Sequence, residues 1–241
     1  MQLPTMKTPV SRCDELAAYT SRMMSKFTQN LVFAQLVTRL DEASAALLAS
    51  QGAYEDARRA TLPTRVDVKY ADITADRCIR RLQKKAEYRD TKRRGPTVAK
   101  IMPRGSNAIT KLRGESQVKA MITLEADVGA LAPSWPEVST LLPELVQHRQ
   151  AYQTAIRGRT TARQAVRARR ALRDAEKQRF LESYEVVART VQAQYPRDRE
   201  MQDLFFDKVN RRSVAQIADS DEEIDSDDDE QTAPPSLPAP R

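Results

Sequence analysis

The stretch RGRTTARQAVRARRALRDAEKQR, residues 157–179, holds nine basic residues against two acidic ones, Asp174 and Glu176. It is built largely from Ala, Leu, Arg, Gln and Glu, the residues that lose least on entering a helix. On a wheel of roughly 100° per residue, Arg163, Arg167, Arg170, Arg173 and Lys177 fall on the same half as Arg159. Ala165, Ala168, Ala171, Leu172 and Ala175 fall on the other half. The pattern predicts an amphipathic helix with a solvated arginine stripe and an inner face small enough for close helix approach. Upstream, Leu145 and Tyr152 lie nearer the arginine side, so the apolar stripe is expected to change phase near Gly158.

Outward from this run, the helix is expected to cover 137–194, with Pro143 kinking it and Gly158 interrupting it. Tyr195-Pro196 ends it, and a short amphipathic helix is expected over 197–217, with Met201, Leu204, Phe205 and Val209 on one side. Upstream, apolar residues at steps of three and four predict a long helix over 11–61, broken at Leu62-Pro63 because a residue before proline avoids the α region. A second helix is expected over 64–93 and a third over 108–131. The Gly- and Pro-bearing stretch RRGPTVAKIMPRGSN reads as a loop between them. The end of the second helix, RRLQKKAEYRDTKRR, is basic, which suits the negative end of a helix dipole without any ligand.

Six glycines in 241 residues and 5% aromatics argue against a β-rich core. The fold class expected is all-α: an elongated antiparallel helical bundle whose spine is two long helices of about 50 residues. Residues 1–10 are expected to be disordered, 11–218 to form the bundle, and 219–241 to be a disordered acidic, proline-rich tail. The charge is uneven. Nine acids lie between Asp219 and Glu230, and the chain without 219–241 carries 39 bases against 24 acids, a net +15.

The ending YPRDREMQDLFFDKVNRR, after a long Arg/Ala-rich helix, resembles a family of uncharacterised bacterial proteins. These are helical bundles that close on a Pro-Arg-Asp…Leu-Phe-Phe-Asp segment. The resemblance spans about residues 106–210 and is clearest over 195–207. It implies the fold and no activity; the acidic tail is not part of the pattern.

Motifs for catalysis are missing from the sequence: no CxxC, HExxH, GxSxG or phosphate loop, and the single histidine, His148, stands alone on a helix. No enzyme activity, cofactor, metal or small-molecule substrate is expected. Cys13 and Cys78 read as two idle thiols of a reducing compartment, or as one disulfide. No apolar run reaches the roughly 20 residues a membrane helix needs, and a soluble, cytoplasmic protein without membrane contact is expected. The leading functional expectation is a non-enzymatic scaffold or interaction protein that binds a protein partner or itself. The alternative is a non-sequence-specific nucleic-acid-binding protein inhibited by its own acidic tail. Candidate polyanion-binding residues are Arg159, Arg163, Arg167, Arg170, Arg173 and Lys177. Candidate interaction residues are Trp135, a bundle-end plug or a partner anchor, and Phe206, because Phe205 and Phe206 are not expected to share one core stripe.

Overall fold

The computed structural model describes residues 3–207. Among them every regular element is helical: α1 (Val10–Met24), α2 (Leu31–Arg89), α3 (Pro96–Ile101), α4 (Asn107–Thr110), α5 (Gly114–Gly129), α6 (Val138–Gln194) and α7 (Arg199–Leu204). The protein is all-α, with long helices of 59 and 57 residues. The acidic tail and the far end of the helix expected over 197–217, Val209 included, lie outside the described residues. The chain divides into two compact units, Met1–Ala57 with Val166–Arg241, and Arg58–Ala165.

The first helix boundary is not where the proline rule puts it. The break falls at Ser25–Asn30, and α2 runs through Pro63. Asn30 explains the restart: its Oδ1 accepts the backbone N–H of Val32 at 3.1 Å and of Phe33 at 3.3 Å. That is how an N-cap satisfies donors that have no partner inside the helix. Pro63 has no N–H to give the Arg59 carbonyl. Around it, the Thr61 hydroxyl donates to the Arg58 carbonyl at 2.7 Å and the Thr64 hydroxyl to the Thr61 carbonyl at 2.8 Å. Leu62 and Pro63 are both exposed, so water reaches the turn that the proline disturbs.

The helix expected over 108–131 is also two elements. Gly114 begins α5 with φ +59, and α4 is a single turn before it. Inside the stretch expected to be a loop, Pro96 opens α3 at its first turn, where a missing N–H costs nothing. Helix α6 starts one residue later than expected and continues through Pro143 and Gly158.

In the first unit, α1, the start of α2 and the end of α6 enclose Leu16, Leu40, Leu47, Phe180, Tyr184, Val187 and Val191. Asn30 meets Gln194, and Arg39 meets Ser183, so α2 and α6 run antiparallel here. The Thr20 and Tyr184 hydroxyls share a hydrogen bond of 3.1 Å inside this core. The segment before α1, expected to be disordered, is packed: Pro4 and Thr8 are buried, and Thr8 and Thr5 bond each other. Phe205 and Phe206 are both buried, which corrects the expectation for Phe206. They follow the last turn of α7, so the 100° step of a helix does not separate them. Phe205 packs on Phe27, Phe33 and Tyr195, and Phe206 on Tyr184.

In the second unit, α2 supplies Ala75, Ile79, Leu82 and Ala86, which pack with Val98 and Ile101 of α3, Met121, Leu124 and Val128 of α5, and Val138 and Leu145 of α6. Arg149 donates to Glu125 at 2.6 Å with both side chains largely covered, tying α6 to α5. Arg81 pairs with Glu144 and Lys85 with Glu137, so α2 and α6 are antiparallel in this unit too. Trp135 closes this core at 3% exposure, under the Arg89 guanidinium at 5.5 Å. Arg89 also donates to the Ser134 carbonyl at 2.7 Å. Trp135 is therefore the plug, and its burial removes it as a surface anchor.

Because α2 passes through Pro63 without stopping, Pro63→Ala restores a backbone hydrogen bond at no cost in packing. Thermal unfolding is expected to show a gain of about 1–3 kcal/mol. No gain would mean that the helix stops at Leu62.

Candidate functional site

The arginine stripe of 157–179 faces the opposite way from the wheel reading. Leu172 is 54% exposed, and Ala165, Ala168, Ala171 and Ala175 are exposed with it. Arg159, Arg163 and Arg173 are half-buried, and Lys177 is buried. Arg173 lies with its guanidinium 4.5 Å from the Tyr54 ring and donates twice to Asp174 Oδ1, at 3.0 and 2.8 Å. Lys177 Nζ donates to the Met6 carbonyl at 2.8 Å. Long basic side chains can line an inner face because their stems are apolar and only their tips need polar company. Arg159 and Arg163 belong to the second unit, and Arg167, Arg170, Arg173 and Lys177 to the first. Of these, Arg167 and Arg170 are exposed.

Another outward basic cluster lies at the end of α2 and in the loops after it. Arg77, Lys84, Lys92, Arg93, Arg94 and Arg104 are all exposed. No ion pair ties any of them to another of the described residues. Tyr88, 81% exposed, stands among them. The cluster is visible in the sequence, where the helix dipole accounts for it without a ligand. Burial distinguishes it from the stripe in α6.

The backbone that presents it is held at several points. Lys92 N–H donates to the Glu87 carbonyl at 3.2 Å and Thr91 N–H to the Tyr88 carbonyl at 3.1 Å, the paired closure of a Schellman motif. The left-handed position of that motif is usually glycine; here it is Thr91, at φ 49. A β-branched residue there is strained. Asp90 Oδ2 then accepts the N–H groups of Thr97 at 2.8 Å and Val98 at 3.3 Å, capping α3 from outside. Burial raises the Asp90 pKa, but the bonds from Thr97 and Val98 and the charge of Arg89 outweigh it, leaving the carboxyl below its usual range. Gly95 is required, since a Cβ there would collide with the Asp90 side chain. Gln83 Oε1 accepts from Ser106 N–H at 2.8 Å and holds the loop that carries Arg104.

A second polar cluster in this unit is structural. Gln117, fully buried, donates to Asp76 Oδ1 at 2.8 Å. Burial, and then the neighbouring Asp72, push the Asp76 carboxyl up. Tyr152 accepts from the Gly114 N–H at 2.9 Å, which fixes the first turn of α5. His148 is half-buried on α6. Among the described residues, no three His, Cys, Asp or Glu side chains come together as a metal site, and no helix is long and apolar enough to cross a membrane. Comparison with protein-family models, with curated proteins and with solved structures finds no match to this chain.

Two outcomes are expected in unfolding experiments. Arg173→Ala is expected to destabilise by about 1–2 kcal/mol, through the loss of its packing on Tyr54 and of its pair with Asp174. Arg167→Ala is expected to stay within about 0.5 kcal/mol of the parent. Equal effects would return the stripe to solvent. Separately, Thr91→Gly relieves the left-handed strain and is expected to raise stability by about 1 kcal/mol in urea titrations.

Proposed function

We propose that this protein is a non-enzymatic helical interaction protein whose basic surface, at the end of α2 and in the loops that follow, engages an acidic partner. The observation that carries this reading is the set of exposed bases at Arg77, Lys84, Lys92, Arg93, Arg94 and Arg104 with no ion pair to any described residue. Bases with no acidic group to pair with attract one, and an acidic partner supplies it. The backbone closure at Thr91 and Lys92 and the Asp90 cap support it further, because their hydrogen bonds hold the loop bearing Lys92, Arg93 and Arg94 in one conformation. Rigid presentation lowers the entropy cost of binding.

A second reading is non-sequence-specific nucleic-acid binding, with residues 219–241 acting as an internal competitor. The exposed ring of Tyr88 among the bases favours it, since a base can stack on such a ring.

Both readings are tested by titrating polyglutamate, duplex DNA and RNA at two salt concentrations. The parent chain is compared with Lys92→Glu/Arg93→Glu/Arg94→Glu and with a chain ending at Ala218. The triple variant is expected to lose affinity and to show a shallower salt dependence, by about 0.9 in log–log slope for each DNA phosphate it no longer neutralises. Preference for DNA or RNA over polyglutamate, tightened by removal of 219–241, selects the second reading. Binding unchanged in the triple variant removes this surface from both.

A further inference from the structure

The exposed face of α2 in the second unit has two chemically distinct halves. Leu62, Val66, Tyr70 and Ile73 are 56%, 66%, 71% and 41% exposed. They recur every three or four residues, so they form one stripe along the helix. The same stripe continues through Arg77, Arg81, Lys84 and Tyr88, all exposed. The whole face covers about 39 Å at 1.5 Å per residue. None of its apolar members belongs to the core of the second unit.

Resting on the reading of the chain as an interaction protein, we propose that this face docks an acidic amphipathic helix of a partner protein. The partner's apolar residues cover Leu62, Val66, Tyr70 and Ile73, and its carboxylates meet Arg77 and Lys84, which have no ion pair to any described residue. Charge decides between this occupant and the others. A second copy aligned parallel on this face would set its own Arg77 and Lys84 against the first copy's. A second copy aligned antiparallel about the apolar half would match Arg65 and Lys69, which share one flank of the stripe, with the same flank of the other copy. Both alignments place base against base. A nucleic acid satisfies the basic half but leaves four large apolar side chains wet. Only an occupant that is apolar along one half and acidic along the other satisfies both.

The test is an anisotropy titration of the full chain with two labelled model helices. One carries leucines at i, i+4, i+8 and i+11 and glutamates over the adjoining turns, prepared in both orders. The other is its twin with lysines in place of the glutamates. Heparin serves as a polyanion without an apolar half. The glutamate helix is expected to bind and the lysine twin not to. Val66→Asp, and independently Tyr70→Gln, are expected to weaken the glutamate helix on the order of tenfold while leaving heparin binding unchanged. Lys84→Glu is expected to weaken both ligands. All three positions are exposed, and circular dichroism of each variant reports whether α2 is kept. Heparin binding without binding of the glutamate helix overturns the proposal and spares the parent reading, as does a glutamate helix indifferent to both Val66→Asp and Tyr70→Gln. Absence of heparin and helix binding alike in the parent chain overturns the parent reading. A dimer by light scattering that Val66→Asp dissociates assigns the face to a second copy instead. Duplex DNA weakened by Val66→Asp as strongly as the helix assigns it to nucleic acid.

Discussion

In a helix, the side chains at steps of three, four and seven from a buried residue lie on its side, whatever their charge, and α6 is one helix of 57 residues. That constraint explains the most unexpected feature of the chain. Leu145 and Tyr152 early in α6, and Phe180, Tyr184, Val187 and Val191 late in it, are buried, and they recur on one seven-residue repeat. Among the residues between them on that repeat are Arg159, Arg163, Arg173 and Lys177. Lys177 is buried and the three arginines half-buried because of where the repeat places them, whatever their charge. The chain accommodates them by giving Arg173 the Tyr54 ring and Asp174, giving Lys177 the Met6 carbonyl, and letting the stems stand in for apolar side chains. The alanines on the other side are left in water, where an exposed methyl costs little.

Helix content is legible in the sequence because propensity is a local property, and few glycines over a chain rich in Ala, Leu and Arg leave no other regular choice. Boundaries are less legible because they depend on which backbone donors and carbonyls find partners. Asn30 caps α2 in a segment whose apolar spacing is that of a helix interior, and the hydroxyls of Thr61 and Thr64 help a proline sit inside one. The orientation of the arginine stripe is legible in principle. Leu145 and Tyr152 point to the arginine side, and Phe180 and Tyr184 agree with them on the same wheel. Charge favours the opposite orientation, and phase decides.

The candidate surface is visible in the sequence as composition and invisible as a surface. RRLQKKAEYRDTKRR reads the same whether its bases are paired or open, and the packed neighbours tell most of them apart. Glu144 and Glu137 on α6 take Arg81 and Lys85, and Trp135 takes Arg89. Arg80 pairs with Asp76 on its own helix; Lys84, Lys92, Arg93 and Arg94 have no ion pair to any described residue, and Asp90 and Gly95 hold the loop that carries the last three.

The two cysteines have a practical consequence. Both are free and buried, Cys13 in the first unit and Cys78 in the second. Burial pushes the Cys13 thiol up to about 11 against the opposing charge of Lys177, and burial raises Cys78 as well. Neither thiol is a competent nucleophile while its unit is closed, because the thiolate is the reacting form. Each unit therefore carries one built-in clock. The rate at which an alkylating reagent consumes each cysteine measures how often that unit opens, independently and without an introduced label.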